Sequence, residues 1–544
     1  MTIEIYDCTL REGEQAEGAS FSFEDRMELC KRLDEFGVDY IELGWPLASA
    51  EIFESFKDAL KIVKNAKIVA FGSTSMKENV EDDENLKSIV KTGVEYACIF
   101  GKSSISHVEK QLKITREENL KKIFDSVKFL VSKNIHVFYD AEHFFDGFKE
   151  NKEYAIKTLE NAINAGAERV VLCDTNGGVL PEESRDILKD VVEKLEKLEV
   201  DFKLGVHFHD DSNLALANTI SSLPYIVQVQ GTINGIGERI GNLNFSEFLP
   251  VYVVKMNNEL NVDLTKLKEI SEQAFRLAGI NIPEKRAFVG DSAFSHKAGV
   301  HIDAHLKGAS YEHVNPEDFG NKRTILLNSL GGKSSVISVA EQFGYVLDKE
   351  NPDVKDHIRQ LMDELKEMEK IGYRNGSIRT EQWLLIKKHF DNFKINFKIK
   401  EWEIKSNYKD GRESSYFKVK CILDDEEIEG SMTLFGGPVD CAFKTIKNIL
   451  LEKYPEASDL HIFDFHVSIA RQKQEESSVR TRIDFLDGEL FSTTENPRFS
   501  VHKNLESTHK FSCVGVDKNI LGSAIEAIEK GFLYYLNKNS SNRI

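Results

Sequence analysis

Gly205-Val206-His207-Phe208-His209-Asp210-Asp211 reads as a buried strand that ends in a polar cluster. An apolar run leads into it, and strand alternation sends His207 and His209 to the same face. Two imidazoles so placed are half of a metal site, or equally a pair of histidines satisfied within a core. A carboxylate is needed to tell these apart. The opening segment, Ile3-Glu4-Ile5-Tyr6-Asp7, runs into Cys8-Thr9-Leu10-Arg11-Glu12-Gly13-Glu14-Gln15, which supplies acids and an arginine. A carboxylate beside two neutral histidines suits a borderline or hard divalent ion that keeps positions open, and the arginine suits an anionic substrate. The competing reading is a charged loop between a strand and a helix.

Outward from the histidine strand, apolar strand candidates alternate with amphipathic helical stretches over 3–7, 40–45, 67–73, 96–101, 136–142, 169–174, 203–209 and 226–231. Eight such units predict an α/β chain with a (β/α)8 TIM barrel. The helices carry their own punctuation. Ser22 with Asp25 starts one, Phe23, Met27, Cys30 and Leu33 recur at helical spacing, and Gly37 ends it. The exit Gly37-Val38-Asp39-Tyr40 returns as Gly93-Val94-Glu95-Tyr96 and Gly166-Ala167-Glu168-Arg169, each with a glycine before a new strand. In a barrel the strand ends converge on one face, which brings Glu12, Glu142, Thr175, His207, His209 and Asn242 together on topology alone.

The 544 residues exceed one core and predict two or three domains. A formal net charge of -19 argues against nucleic-acid and anionic-membrane surfaces, so an anionic substrate must be drawn by local positive groups. No apolar run is long enough to span a bilayer, and the first residues lack the pattern of a signal peptide. Seven dispersed cysteines without a Cys-x-x-Cys pair suit a reducing cytoplasm.

Beyond about 281 the pattern becomes helical. The charged run 353–371 reads as a solvated helix face. From about 395 strands return, with Asp410-Gly411 as a hairpin turn and Gly436-Gly437-Pro438-Val439-Asp440 opening a helix. A second strand set, 461–470, 480–486 and 511–516, leads into a helix at 521–536, and the polar segment 492–509 reads as a loop insertion. The expected domains are a barrel at 1–280, a helical linker subdomain at 281–394 and a C-terminal α+β domain at 395–544.

Asp7-Cys8-Thr9-Leu10-Arg11-Glu12-Gly13-Glu14-Gln15, the His207-Phe208-His209-Asp210-Asp211 strand and Gly235-Ile236-Gly237-Glu238-Arg239-Ile240-Gly241-Asn242 together resemble the 2-isopropylmalate, homocitrate and citramalate synthase family. Ala141-Glu142-His143-Phe144-Phe145-Asp146-Gly147, Gly231-Thr232-Ile233-Asn234-Gly235 and His296-Lys297-Ala298-Gly299-Val300-His301 resemble its citramalate-forming branch, and the likeness spans nearly the whole chain.

The resemblance implies a Claisen-type condensation of acetyl-CoA with a small 2-oxo acid, pyruvate being favoured, and a divalent metal ion (Mn2+, Mg2+ or Zn2+). It implies Glu12, His207 and His209 as metal ligands, with Asn242 a weaker fourth. Arg11 is expected at the developing alkoxide and the substrate; its alternative is a salt bridge to Asp7 or Glu14. Glu142 and His301 are the acid/base pair, in either order, with Tyr311 assisting the histidine, Thr175 at the substrate carboxylate and His296 behind them. Phe144, beside bulky Phe145 and without a nearby arginine, is expected to limit the acceptor's size.

Many family members carry Asp where this chain has Glu12, and homocitrate synthases carry Glu. The linker is expected to serve an active site, commonly a partner subunit's, and the C-terminal domain to regulate a homodimer through isoleucine. The alternatives are a 2-isopropylmalate or homocitrate synthase, a metal-dependent acyl-CoA lyase, and an amino-acid-sensing binding protein.

Overall fold

The computed structural model describes residues 3–197, 201–296, 311–329, 331–348, 350–373, 378–471, 477–488 and 509–541. They form two compact units, residues 1–294 with 314–322, and residues 295–313 with 323–544.

In the first unit eight parallel strands close into a barrel in chain order: β1 (Glu4–Asp7), β2 (Tyr40–Gly44), β3 (Lys67–Ser73), β4 (Tyr96–Lys102), β5 (His136–Glu142), β6 (Arg169–Asp174), β7 (Leu204–Phe208) and β8 (Gln228–Gly231). The pairing of β1 with β8, Glu4 opposite Gln228 and Asp7 opposite Gly231, seals it. The expected barrel is therefore the observed one.

Strand parity decides what the interior holds. On β5, Val137, Tyr139 and Ala141 join the layer between strands and helices, while Phe138 faces Tyr6, Tyr40 and Val69 inside the barrel. The Tyr40 and Phe138 rings meet edge to face at 5.1 Å. Burying rings of this size contributes about 1.5–3 kcal/mol each, and together they make a packed floor. Asp140 and Glu142 continue the inward row of β5 above that floor and line a cavity at the strand ends.

The helix signals act as read. Ser22 and Asp25 form a capping box for helix Phe23–Phe36, which ends at Gly37 with φ of 101°. A side chain at Gly37 would place its Cβ 2.5 Å from the carbonyl oxygen of Asn261, so the turn admits glycine on two grounds.

The second unit holds β9 (Ser295–His296) paired with β10 (Thr324–Ile325), then helices Gly332–Gln342, Pro352–Ile371 and Arg379–Phe390 around their own apolar cluster. The charged helix Pro352–Ile371 buries only Ile358, Leu361 and Leu365, a narrow stripe on an otherwise solvated rod.

Two antiparallel sheets follow, β11 (Phe397–Lys409), β12 (Arg412–Leu423) and β13 (Glu426–Phe435), then β14 (Leu460–Arg471), β15 (Ser478–Asp487) and β16 (His509–Asp517). Asp410 and Gly411, both at positive φ, make the two-residue hairpin between β11 and β12. Each sheet is followed by a helix, Pro438–Leu451 and Ile520–Ser541, and the two layers share one core in which Phe443 stacks on Phe532 at 5.2 Å. Of the expected insertion at 492–509, residues 492–508 lie outside the described residues and His509 begins β16. No helix among the described residues is long and apolar enough to cross a membrane.

Candidate active site and metal centre

A cavity of about 360 Å³ opens at the C-terminal ends of the barrel strands. Arg11, Glu12, Glu142, Thr175, His207 and His209 all line it, so six side chains spread over the chain are brought to one place.

One ligand atom from each of Glu12, His207 and His209 lies within 4.8 Å of the other two, and all three residues are buried. Glu12 Oε2 and His209 Nδ1 make no hydrogen bond among the described residues. Buried polar atoms seldom stay without any partner, and a carboxylate oxygen and an imidazole nitrogen side by side suit a bound cation.

The neighbouring hydrogen bonds prepare His207 in the same sense. Gln230 Nε2 donates to Asp140 Oδ1 at 3.0 Å, which turns Gln230 Oε1 toward His207 Nδ1 at 2.8 Å. Nδ1 therefore carries the hydrogen and Nε2 presents a lone pair. That lone pair faces a second acceptor, Asn242 Oδ1, at 3.1 Å.

Burial lowers the pKa of both imidazoles, that of His209 to about 2 with His207 adding to the shift. Both rings are thus neutral, as metal ligands must be. The donor set fits a divalent cation, with the Asn242 amide oxygen as a further donor.

The glycine-rich loop after β8 delivers Asn242. Gly241 has φ of 115°, and a Cβ there would sit 1.9 Å from the carbonyl oxygen of Gly235. Only a chain without that atom folds back tightly enough for residue 242 to bridge to His209.

Among the described residues Arg11 bonds to neither Asp7 nor Glu14. Its Nε donates to Glu42 Oε1 at 2.5 Å, its Nη1 donates to Glu12, and the guanidinium lies 3.9 Å over the Phe71 ring. Glu42 also accepts from the Tyr6 hydroxyl at 2.7 Å. Asp7 instead ties down the loop by accepting from the Thr9 amide and hydroxyl, and Glu14 pairs with Arg26. Burial pushes the Asp7 carboxyl up to about 7, against the pull of those two bonds.

Glu142 ends β5 and pairs with Lys102 Nζ at 2.5 Å, the last residue of β4. Thr175 lines the cavity, and its hydroxyl accepts from the His143 amide at 2.8 Å, holding a residue with φ of 58°.

Phe144 is placed differently from expectation. Its ring is fully buried beside Phe145 and Phe148 in the layer between strands and helices, and does not line the cavity. The walls there are Trp45, Phe71 and Phe100. Tyr311 belongs to the second unit and is exposed there, His296 pairs with Glu312 at 2.8 Å, and His301 lies outside the described residues.

Glu42, Lys102 and Gln230 escaped the sequence reading. The available signal was a charge or amide inside segments otherwise read as buried strands, Tyr40-Ile41-Glu42-Leu43-Gly44 and Gln228-Val229-Gln230.

Residues 2–273 match the HMGL-like family, and residues 288–369 match the homocitrate synthase post-HMGL domain-like family. The chain is 38% identical to the (R)-citramalate synthase of Aquifex aeolicus over 549 residues, 99% of each chain. It is 37% identical to that of Sulfolobus acidocaldarius, over 98% of this chain and 97% of the relative. The 2-isopropylmalate synthase of Sulfurisphaera tokodaii is 34% identical but aligns with 66% of this chain and 91% of its own length. Matched end to end at this identity, with the barrel family's residues gathered in one cavity, the chain belongs to the (R)-citramalate synthase family.

Proposed function

We propose that this enzyme condenses acetyl-CoA with pyruvate and hydrolyses the thioester, releasing citramalate and CoA in isoleucine biosynthesis. The observation that carries the reading is the convergence of Arg11, Glu142 and the Glu12, His207 and His209 cluster on one cavity of about 360 Å³. Glu12, His207, His209 and Asn242 would hold a divalent ion, Mn2+, Mg2+ or Zn2+, which when bound would supply Lewis-acid polarisation of the acceptor carbonyl.

Arg11, with two of its N–H groups given to Glu42 and Glu12, turns the remainder to the oxygen that becomes an alkoxide. Glu142 removes a proton from the acetyl methyl group, and His301 with Tyr311 returns one to the product oxygen. Thr175 borders the acceptor's carboxylate.

The acceptor is small because Phe71, Phe100 and Trp45 wall the cavity. It is monoanionic because Asp140, Glu142 and Glu238 face the same space and repel a second carboxylate. Supplied in turn with pyruvate, 2-oxoisovalerate and 2-oxoglutarate, the metal-loaded enzyme is expected to release CoA thiol fastest with pyruvate. Dominance of either larger acid would overturn the assignment.

The chain divides functionally into the barrel at 1–280, the helical linker at 281–394 and a regulatory domain at 395–544 that dimerises and binds isoleucine. Separate apolar clusters for the helical and two-sheet regions support that division. The edge strand β14 leaves Phe465, Val467 and Ile469 exposed, apolar surface that suits a second copy. Removing residues from 395 onward is expected to abolish inhibition by isoleucine in a feedback assay; an intact enzyme indifferent to isoleucine and leucine alike would refute this role. The seven buried, unpaired cysteines suit a cytoplasmic home.

A further inference from the structure

We propose that Lys102 is a further catalytic residue, its ammonium receiving the charge that develops on the thioester oxygen of acetyl-CoA as Glu142 removes a methyl proton. The inference rests on the condensation assigned above.

β4 and β5 run in register so that Lys102 stands opposite Glu142 at the strand ends. The lysine side chain is only 9% exposed, and its Nζ lies 2.5 Å from Glu142 Oε2. A lysine held this deep forfeits the hydration its compact charge prefers, a cost that a merely structural partner for a strand-end carboxylate does not require.

The surroundings say what the charge faces. A second cavity, about 400 Å³ in volume, is lined by Lys102, Thr74, Ser75 and Gln111, and shares Trp45, Phe100 and Glu142 with the first. Glu142 thus borders both spaces. An acyl thioester entering through the second cavity brings its methyl group to Glu142 and its carbonyl oxygen to Lys102, with the acceptor beyond in the first.

The nearby cations are committed elsewhere. Arg11 is bound to Glu42 and Glu12 over Phe71. Lys122 donates to the carbonyl oxygens of Ser75 and Lys77 at 3.2 and 2.9 Å.

The step balances without a further reactant. The methyl C–H bond breaks and its proton passes to Glu142. The released pair forms the carbon–carbon double bond of the enolate, and the carbonyl π pair moves onto the thioester oxygen, where a Lys102 N–H donates. When the enolate carbon attacks the acceptor ketone, the oxygen's pair re-forms the carbonyl. The ammonium keeps its proton throughout, and its three donors hold Glu142 and the oxygen together.

The test compares the metal-loaded wild type with Lys102→Met and Lys102→Gln. Each is incubated in D2O with acetyl-CoA and oxamate, which has pyruvate's shape but an amide carbonyl that resists attack. Deuterium entering the methyl group is followed by mass spectrometry, and turnover with pyruvate is measured separately.

Loss of exchange and of kcat by about 100-fold or more in both variants, with the KM for pyruvate unchanged, is the expected result. Lys102→Gln keeps a polar side chain beside Glu142 without the charge, so it decides the matter should Lys102→Met fail to fold. Wild-type exchange in Lys102→Gln, or a rise confined to the KM for acetyl-CoA, overturns the assignment. A wild type unable to condense acetyl-CoA with pyruvate overturns the condensation itself, and this assignment with it.

Discussion

Replacing His209 by alanine is expected to abolish metal-dependent turnover while leaving the barrel folded. The ring supplies one of three converging ligand atoms, and its Nδ1 makes no hydrogen bond among the described residues, so its position serves the cluster. Its loss should weaken binding of a divalent ion by more than the roughly 10–100-fold that removal of an outer hydrogen-bond partner costs. The fold rests instead on the aromatic floor around Tyr6, Tyr40 and Phe138 and on the strand–helix layer, neither of which includes this ring.

Acid stability adds a signed check. Because burial holds the folded His209 pKa near 2, the metal-free folded state takes up its proton later than the unfolded chain does, whose histidine titrates near 6.5. This group therefore costs nothing above about pH 6.5 and removes stability as pH falls from there. Metal-free His209→Ala should lose less stability than the wild type between neutral pH and pH 4, seen as a smaller fall in Tm. Global unfolding of the variant at neutral pH would instead make the site structural.

Arg11→Leu should be the other drastic change, and in two separable ways. Activity should fall by about 100- to 1,000-fold, the usual loss when a donor to a developing oxyanion is removed. Stability should fall as well, because the Glu42 side chain is fully buried and, among the described residues, would keep only the Tyr6 hydroxyl as partner. Stranding one member of a buried ion pair costs about 3–5 kcal/mol. Adding Glu42→Gln to Arg11→Leu removes the stranded charge, so chemical denaturation should show most of the stability restored while turnover stays lost. Recovery of turnover in the double variant would show that Arg11 acts only by neutralising Glu42.

These two residues mark where local sequence stops being informative. Alternation alone put His207 and His209 on one face, and the recurring glycine exits with eight apolar segments were sufficient for the barrel, because both features are written in neighbouring residues. The turn at Asp410-Gly411 and the capping box at Ser22 were legible for the same reason. Once a barrel is assumed, strand ends must converge, and with them Glu12, Glu142, Thr175 and the histidines.

What the sequence by itself determined, then, is the set of elements and the face each presents. Tertiary structure alone decided which distant groups touch. Arg11 passes over nearby Asp7 and Glu14 for Glu42, 31 positions away on the adjoining strand, because β1 and β2 lie side by side and carry both residues to the same end. Gln230 meets Asp140 across 90 positions and sets the His207 tautomer, and Lys102 meets Glu142 through the β4–β5 register. Phe144 shows the converse: two residues past Glu142 in sequence, its ring packs between strands and helices, because the chain has already left the strand for a new helix whose apolar side faces that layer. Periodicity specifies a direction relative to an element's own axis, whereas a partner is specified by the register and closure of the whole sheet, which no single segment contains.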